Sequence, residues 1–170
     1  RHMLNAASFA SYCRSRGLKC VVRDDFDSRS GNIAMIFSDE SGKLPDVRVS
    51  LDFCIPGAVG LICAGFAPYN GTPERKEVLR RLNTANAAGP FANFLLNNGE
   101  IVLQGVYPVQ LMDAQTLTEL IFFSVRLCCG MPDYVFAGTK NESADSQSGA
   151  ESSCQNKDGQ PGEETDGNEK

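Results

Sequence analysis

The chain has no tryptophan and one histidine, His2, at its very start. Activated Ser or Cys nucleophiles ordinarily need an imidazole beside them, and with the single one at the chain's start the triad hydrolases are nearly removed. No CxxC pair occurs, and a zinc site of four ligands has no recognisable spacing. Phosphate-cradling loops are also missing: there is no GxxxxGK[ST], and no GxGxxG opens a helix after a strand. Long apolar runs are absent too. The longest, residues 53–67, is interrupted by Pro56, Gly57, Gly60 and Gly65, short of the roughly 18 residues of a membrane span. No membrane partner is expected, and no leader peptide is read in the first residues.

Charge is present but unevenly placed. Residues 139–170 hold 8 of the 21 acids and 3 of the 16 bases, which leaves thirteen of each for residues 1–138. Nucleic-acid binding needs a surplus of clustered Lys and Arg, so no nucleic-acid partner is expected. The last 32 residues are Ser, Gly, Gln, Asn, Asp and Glu with almost nothing apolar. Such a segment cannot bury enough surface to offset the entropy of ordering. The organisation expected is therefore one α+β domain over residues 1–138 and a disordered acidic tail over 139–170, solubilising or partner-binding.

The seven cysteines are Cys13, Cys20, Cys54, Cys63, Cys128, Cys129 and Cys154. Most sit in apolar periodic segments, as small hydrophobes do, and the reading is reduced core thiols in a cytoplasmic protein. Cys128 and Cys129 are adjacent on a helix and point about 100° apart, so one faces the core and the other is open to a reactive role.

Residues 3–16 read as a first helix, with Ala6, Phe9, Ala10 and Cys13 on one stripe and Gly17 as a left-handed cap. Strands follow over residues 18–23, 32–38, 46–55 and 58–66. In the third, Val47, Val49, Leu51, Phe53 and Ile55 alternate with polar residues and Cys54, which gives one buried and one wetter face. Pro56-Gly57 suits a tight turn into the fourth strand. A second helix is expected from Thr72 as N-cap and Pro73 at the first helical position to Ala88, with Val78, Leu79, Leu82 and Ala85 inward and Arg80 and Arg81 among the residues facing water. Asn97-Asn98-Gly99 signals a second hairpin between strands 91–96 and 100–107. The last helix begins at Asp113 with a Met112–Leu117 staple and ends at Gly130 and Pro132. Leu117, Leu120, Ile121, Ser124, Val125 and Cys128 form its stripe. Phe122, Phe123 and Leu127 add apolar bulk outside it, so this helix needs a second partner surface, and a homodimer is expected.

The acidic stretch Asp24 to Gly31 faintly resembles a calcium loop. A loop starting at Asp25 puts Arg29 at its fifth position and Ile36 where a bidentate Glu belongs, so it reads as a solvated turn. No metal and no cofactor are expected.

The order helix, strands, helix, two strands, helix combines with Val78-Leu79-Arg80-Arg81-Leu82-Asn83-Thr84-Ala85-Asn86, Phe91-Ala92-Asn93-Phe94 and Gly99-Glu100-Ile101-Val102-Leu103. Together these features, over roughly residues 46–134, resemble the YbjN-type domain, a family similar in fold to the type III secretion chaperones. The resemblance implies a non-enzymatic α+β domain, often dimeric, that binds other proteins or regulates, and it brings no catalytic residues. The fold expected is an antiparallel curved sheet packed with three helices, secretion-chaperone-like. Asn83 and Asn86 read as side-chain amides that satisfy backbone groups at a helix end.

The candidate binding residues are Ala58, Gly60, Ile62, Ala64 and Phe66 on the fourth strand, and Phe122 and Phe123 on the last helix. Their partner is an unidentified protein, taken up through a groove or a sheet edge. Two other readings stay open: a small-molecule or enzyme pocket between sheet and helices, with Arg48, Asp52 and Gln104 converging on it, and an immunity-like protein with a single cognate target.

Overall fold

The computed structural model of the chain describes residues 3–23, 32–89 and 93–138. The acidic tail, the 24–31 turn and residues 90–92 lie outside them.

Asn5 opens the first helix, α1 (Ala6–Ser15), by accepting the Ser8 N–H at 2.9 Å, while Ser8 Oγ accepts the Asn5 N–H at 3.0 Å. At the other end Leu18 N–H donates to Cys13 O at 2.9 Å and Gly17 N–H to Arg14 O at 3.1 Å, with Gly17 at φ 71°. This is the paired closure that a left-handed glycine permits, as expected from the sequence.

Among the described residues six strands follow, with helix α2 (Arg75–Ala87) between the fourth and fifth: β1 (Val21–Arg23), β2 (Asn32–Phe37), β3 (Val47–Asp52), β4 (Ala58–Ala64), β5 (Asn93–Asn97) and β6 (Glu100–Pro108). They form one antiparallel sheet in the order β1-β2-β3-β4-β6-β5. Pro56-Gly57 makes the predicted turn, with Ala58 N–H on Ile55 O at 3.1 Å and Gly57 at φ 71°. Asn98 and Gly99, at φ 48° and 77°, turn β5 into β6.

The register puts the large apolar residues on one face. Leu51 stands between Ile33 and Leu61, Val49 between Met35 and Cys63, and Cys63 beside Leu103. All of these are buried and join Phe9, Val78, Leu82, Leu117, Ile121 and Val135 in one core. Helices α1 and α3 (Ala114–Val135) contact strands of this sheet, and α2 (Arg75–Ala87) lies against β5 and α3. The α+β architecture of a sheet with three helices is the one expected.

Four local expectations are corrected. Helix α2 starts at Arg75 with Glu74 as its cap, not at Thr72, because the preceding residues are held as a loop: Thr72 N–H donates to Asn70 Oδ1 at 3.1 Å and Tyr69 Oη to Pro73 O at 2.8 Å. Helix α3 continues through Pro132 to Val135. Proline removes one helical hydrogen bond, but Met131 and Val135 are buried in the core, and continuing the helix keeps them there. Arg81 does not face water. Its guanidinium crosses to the end of α3 and donates to Val135 O at 2.7 Å and Ala137 O at 3.0 Å, supplying the acceptors' partners that a helix C-terminus otherwise lacks. Leu79, expected inward, is exposed.

A candidate binding surface on the open sheet face

The residues that alternate with the core form the opposite face of the sheet. Because the cross-strand register is fixed, they fall into rows running across the strands. One row carries Arg23, Asp52, Gly60 and Val106; the next carries Val21, Ala34, Ser50, Ile62, Gln104 and Asn93. Small residues at Ala34, Ser50 and Gly60 leave the middle low. Around them lies a concavity of about 560 Å³, lined also by Arg23, Asp52, Ile55, Ile62, Gln104 and Val106. A Cβ on Gly60 would stand 3.2 Å from Ile55 Cδ1, so a side chain there would have to displace the end of Ile55 by a few tenths of an ångström.

Among the described residues no helix covers this face, and several of its aliphatics are left in the open. Ile62 is 46% exposed, Val106 63% and Ile36 67%. Exposed apolar residues that cluster on one face mark interaction surfaces more often than scattered ones do.

Of the residues proposed from sequence, Ala58, Gly60, Ile62 and Ala64 share this open face. Phe66 does not. It is buried in the core, edge-on to Phe94 with ring centres 6.3 Å apart, because the chain leaves the strand at Ala64 and turns inward at Gly65. Phe122 and Phe123 lie on α3, on surfaces separate from the open sheet face. Phe122 meets Phe37 edge-on at 5.5 Å, and Phe123 with Leu127 borders a second, strongly apolar concavity of about 670 Å³ between α2 and α3.

Arg48, Asp52 and Gln104, expected in the alternative reading to converge between sheet and helices, are all put by the register on the sheet's outer side, where the first concavity lies. Asp52 and Gln104 line it, but Arg48 turns away to Glu100 at 3.8 Å, lying across Gly65. The sequence reading missed Val106, Ser50, Arg23 and Asn93. The alternation of β3 does identify its outer face, and carrying that parity through the register to β6 yields Val106 and Gln104.

Three thiols are held away from the reactive form. Burial, with the neighbouring Cys20 adding to it, pushes the Cys13 thiol up to about 12. A hydrogen bond with Cys63, together with burial, holds the Cys128 thiol well above the ordinary cysteine range, and burial raises Cys129 as well. Raised values disfavour the thiolate, which is the nucleophilic form. Among the described residues no three His, Cys, Asp or Glu side chains gather as metal ligands, and no helix is long and apolar enough to cross a membrane.

No family model and no curated relative matches the chain in sequence. Among solved structures, a chain of the HopA1–SchA chaperone–effector complex has the same fold, with a TM-score of 0.55 and 13% identity over 75% of this chain and 91% of that one. The fold is thus chaperone-like, as the order of elements implied.

Proposed function

We propose that this chain is a chaperone-like protein-binding module that holds another polypeptide without catalysing a reaction. The observation that carries the reading is the uncovered sheet face with its exposed aliphatics, Ile36, Ile62 and Val106. A sheet with one face packed on helices and the other apolar but bare is incomplete as a monomer's surface. Likeness in fold to a chain of a chaperone–effector complex supports the same direction. The YbjN-type resemblance belongs to this reading, resting on the order of elements and on the stretch from Val78 to Leu103.

We place the protein in the cytoplasm, a setting supported by the six free thiols among its described residues, which suit a reducing compartment. We also propose a homodimer, formed through the second apolar side of α3, where Phe123 and Leu127 are 49% and 39% exposed.

Recovery of the tagged full chain from its own cells tests the binding reading, beside full chains carrying Ile62→Glu or Phe123→Glu. A near-stoichiometric polypeptide, retained by the native chain and lost with one of the variants, is the expected result. Only background proteins with all three would sink it. Sedimentation equilibrium reads the oligomer directly: a mass near twice 18.4 kDa is expected, reduced to the single value by Phe123→Glu.

A further inference from the structure

We propose that the open sheet face takes an uncharged, aliphatic segment of the partner polypeptide, laid across strands β2 to β6 and not added as a strand at an edge. This rests on the protein-binding reading above and specifies its surface and chemistry.

Charge is the first argument. Among the described residues this face carries two cations, Arg23 and Arg48, and two carboxylates, Asp52 and Glu100, and Arg48 is already turned to Glu100 at 3.8 Å. A balanced face has no net field to attract an acidic or basic segment, and its electrostatic complement is a neutral one. The hydrogen-bonding groups are the second argument. Ser50 offers a hydroxyl, and Asn93 and Gln104, paired across β5 and β6, offer amides; each both donates and accepts, as a peptide backbone requires. Extent is the third. Ile36 and Leu95 are exposed on this face beyond the concavity, so the apolar surface is larger than a small ligand would cover.

The edges offer less. At β5 the outward backbone of Phe94 is already occupied by the Asn86 side chain, and β1 at the other edge is three residues long. Strand addition needs a run of free backbone groups.

The test places a photo-crosslinking benzoylphenylalanine in the full chain at Ile62, at Leu96 on the β5 edge, or at Leu127 on α3, in the protein's own cells, and sequences the crosslinked peptides. The expected result is a partner adduct from position 62 alone, to a peptide rich in aliphatic residues and free of Asp, Glu, Lys and Arg beside the crosslink, with position 127 joining only two copies of this chain. Adding Val106→Asp, an exposed site on the same face, should lower its yield at least tenfold with thermal melting unchanged. Adducts to another polypeptide from 96 or 127 only, or a charged partner peptide at 62, overturn this inference and leave the protein-binding reading standing. A product at 62 of about twice 18.4 kDa, containing only this chain, overturns it in favour of a second copy. No adduct to another polypeptide at any position overturns both.

Discussion

The side-chain amide of Asn86, near the end of α2, holds both backbone groups of Phe94 on β5: its Nδ2 donates to Phe94 O at 2.9 Å, and its Oδ1 accepts the Phe94 N–H at 2.7 Å. Strand β5 pairs only with β6, so its other side is a sheet edge, and Asn86 closes that edge with a single residue in place of a strand. Edges left open are templates for unwanted pairing. Asn86→Ala should cost about 1–3 kcal/mol in urea unfolding, the penalty for part-buried groups left without partners. It should also make aggregation steeper with concentration. A variant as stable and as soluble as the native chain would show that water replaces the amide without loss.

Arg81 does for a helix end what Asn86 does for a sheet edge. Its Nε bonds Glu77 Oε1 at 2.7 Å while Nη1 reaches the Val135 and Ala137 carbonyls, so α2 caps α3. Arg81→Lys keeps the charge but loses the planar fork that serves both ends at once. Hydrogen exchange should quicken for amides near 133–138 in that variant while β3 and β4 stay protected. Equal quickening everywhere would mean that the contact supports global stability and not this helix end.

Much of this architecture was legible in the sequence. The alternation of Val47, Val49 and Leu51, the turns at Gly57 and Asn98-Gly99, and the Asp113 cap are local patterns whose physics acts within a few residues, and the structure has them all. Reading Asn86 as a backbone partner also held, since an amide at a helix end has few other uses. What failed depends on distance along the chain. Arg81 looks like a surface base until α3 is placed 53 or more residues away, and Pro132 looks like a stop until Met131 and Val135 are seen to need the core. On the open face, Ala58, Gly60, Ile62 and Ala64 stand together because they share one strand parity. Phe66 leaves that face because the chain turns at Gly65, and no periodicity signals the turn.

Acid should loosen α2 in a narrow window. Hydrogen bonds from Arg80 first, and then from Arg81, hold the Glu77 carboxyl down at about 2 against an ordinary 4.5. A carboxylate depressed in the folded state contributes stability that is present above its unfolded value and lost as pH falls through the folded one. The loss should therefore begin near 4.5 and be complete near 2. Glu77 is solvent-facing, so the effect should shrink in high salt. Midpoints of thermal unfolding across this range, for the native chain and Glu77→Gln, check it: the variant should show a flatter acid limb. Parallel limbs would assign the acid sensitivity to other carboxylates, of which Asp113, lowered by the Thr116 N–H, is the first to examine.

Gly65 gives the sharpest test of the link between the core and the open face. It lies at φ 82°, its N–H donates to Glu100 Oε2 at 2.9 Å, and a Cβ there would stand 2.9 Å from Arg48 Nε. Alanine must therefore adopt a strained backbone and push Arg48 aside, loosening its pairing with Glu100. Strain of this kind costs about 1–3 kcal/mol. Gly65→Ala should lose that much stability, whereas Gly65→Asn, which tolerates positive φ better, should still displace Arg48. If strain dominates, Arg48→Ala in the Gly65→Ala background recovers little of the loss. If the clash dominates, the double variant recovers most of it, and the guanidinium, not the backbone angle, is what requires glycine at the point where β4 turns back into the core.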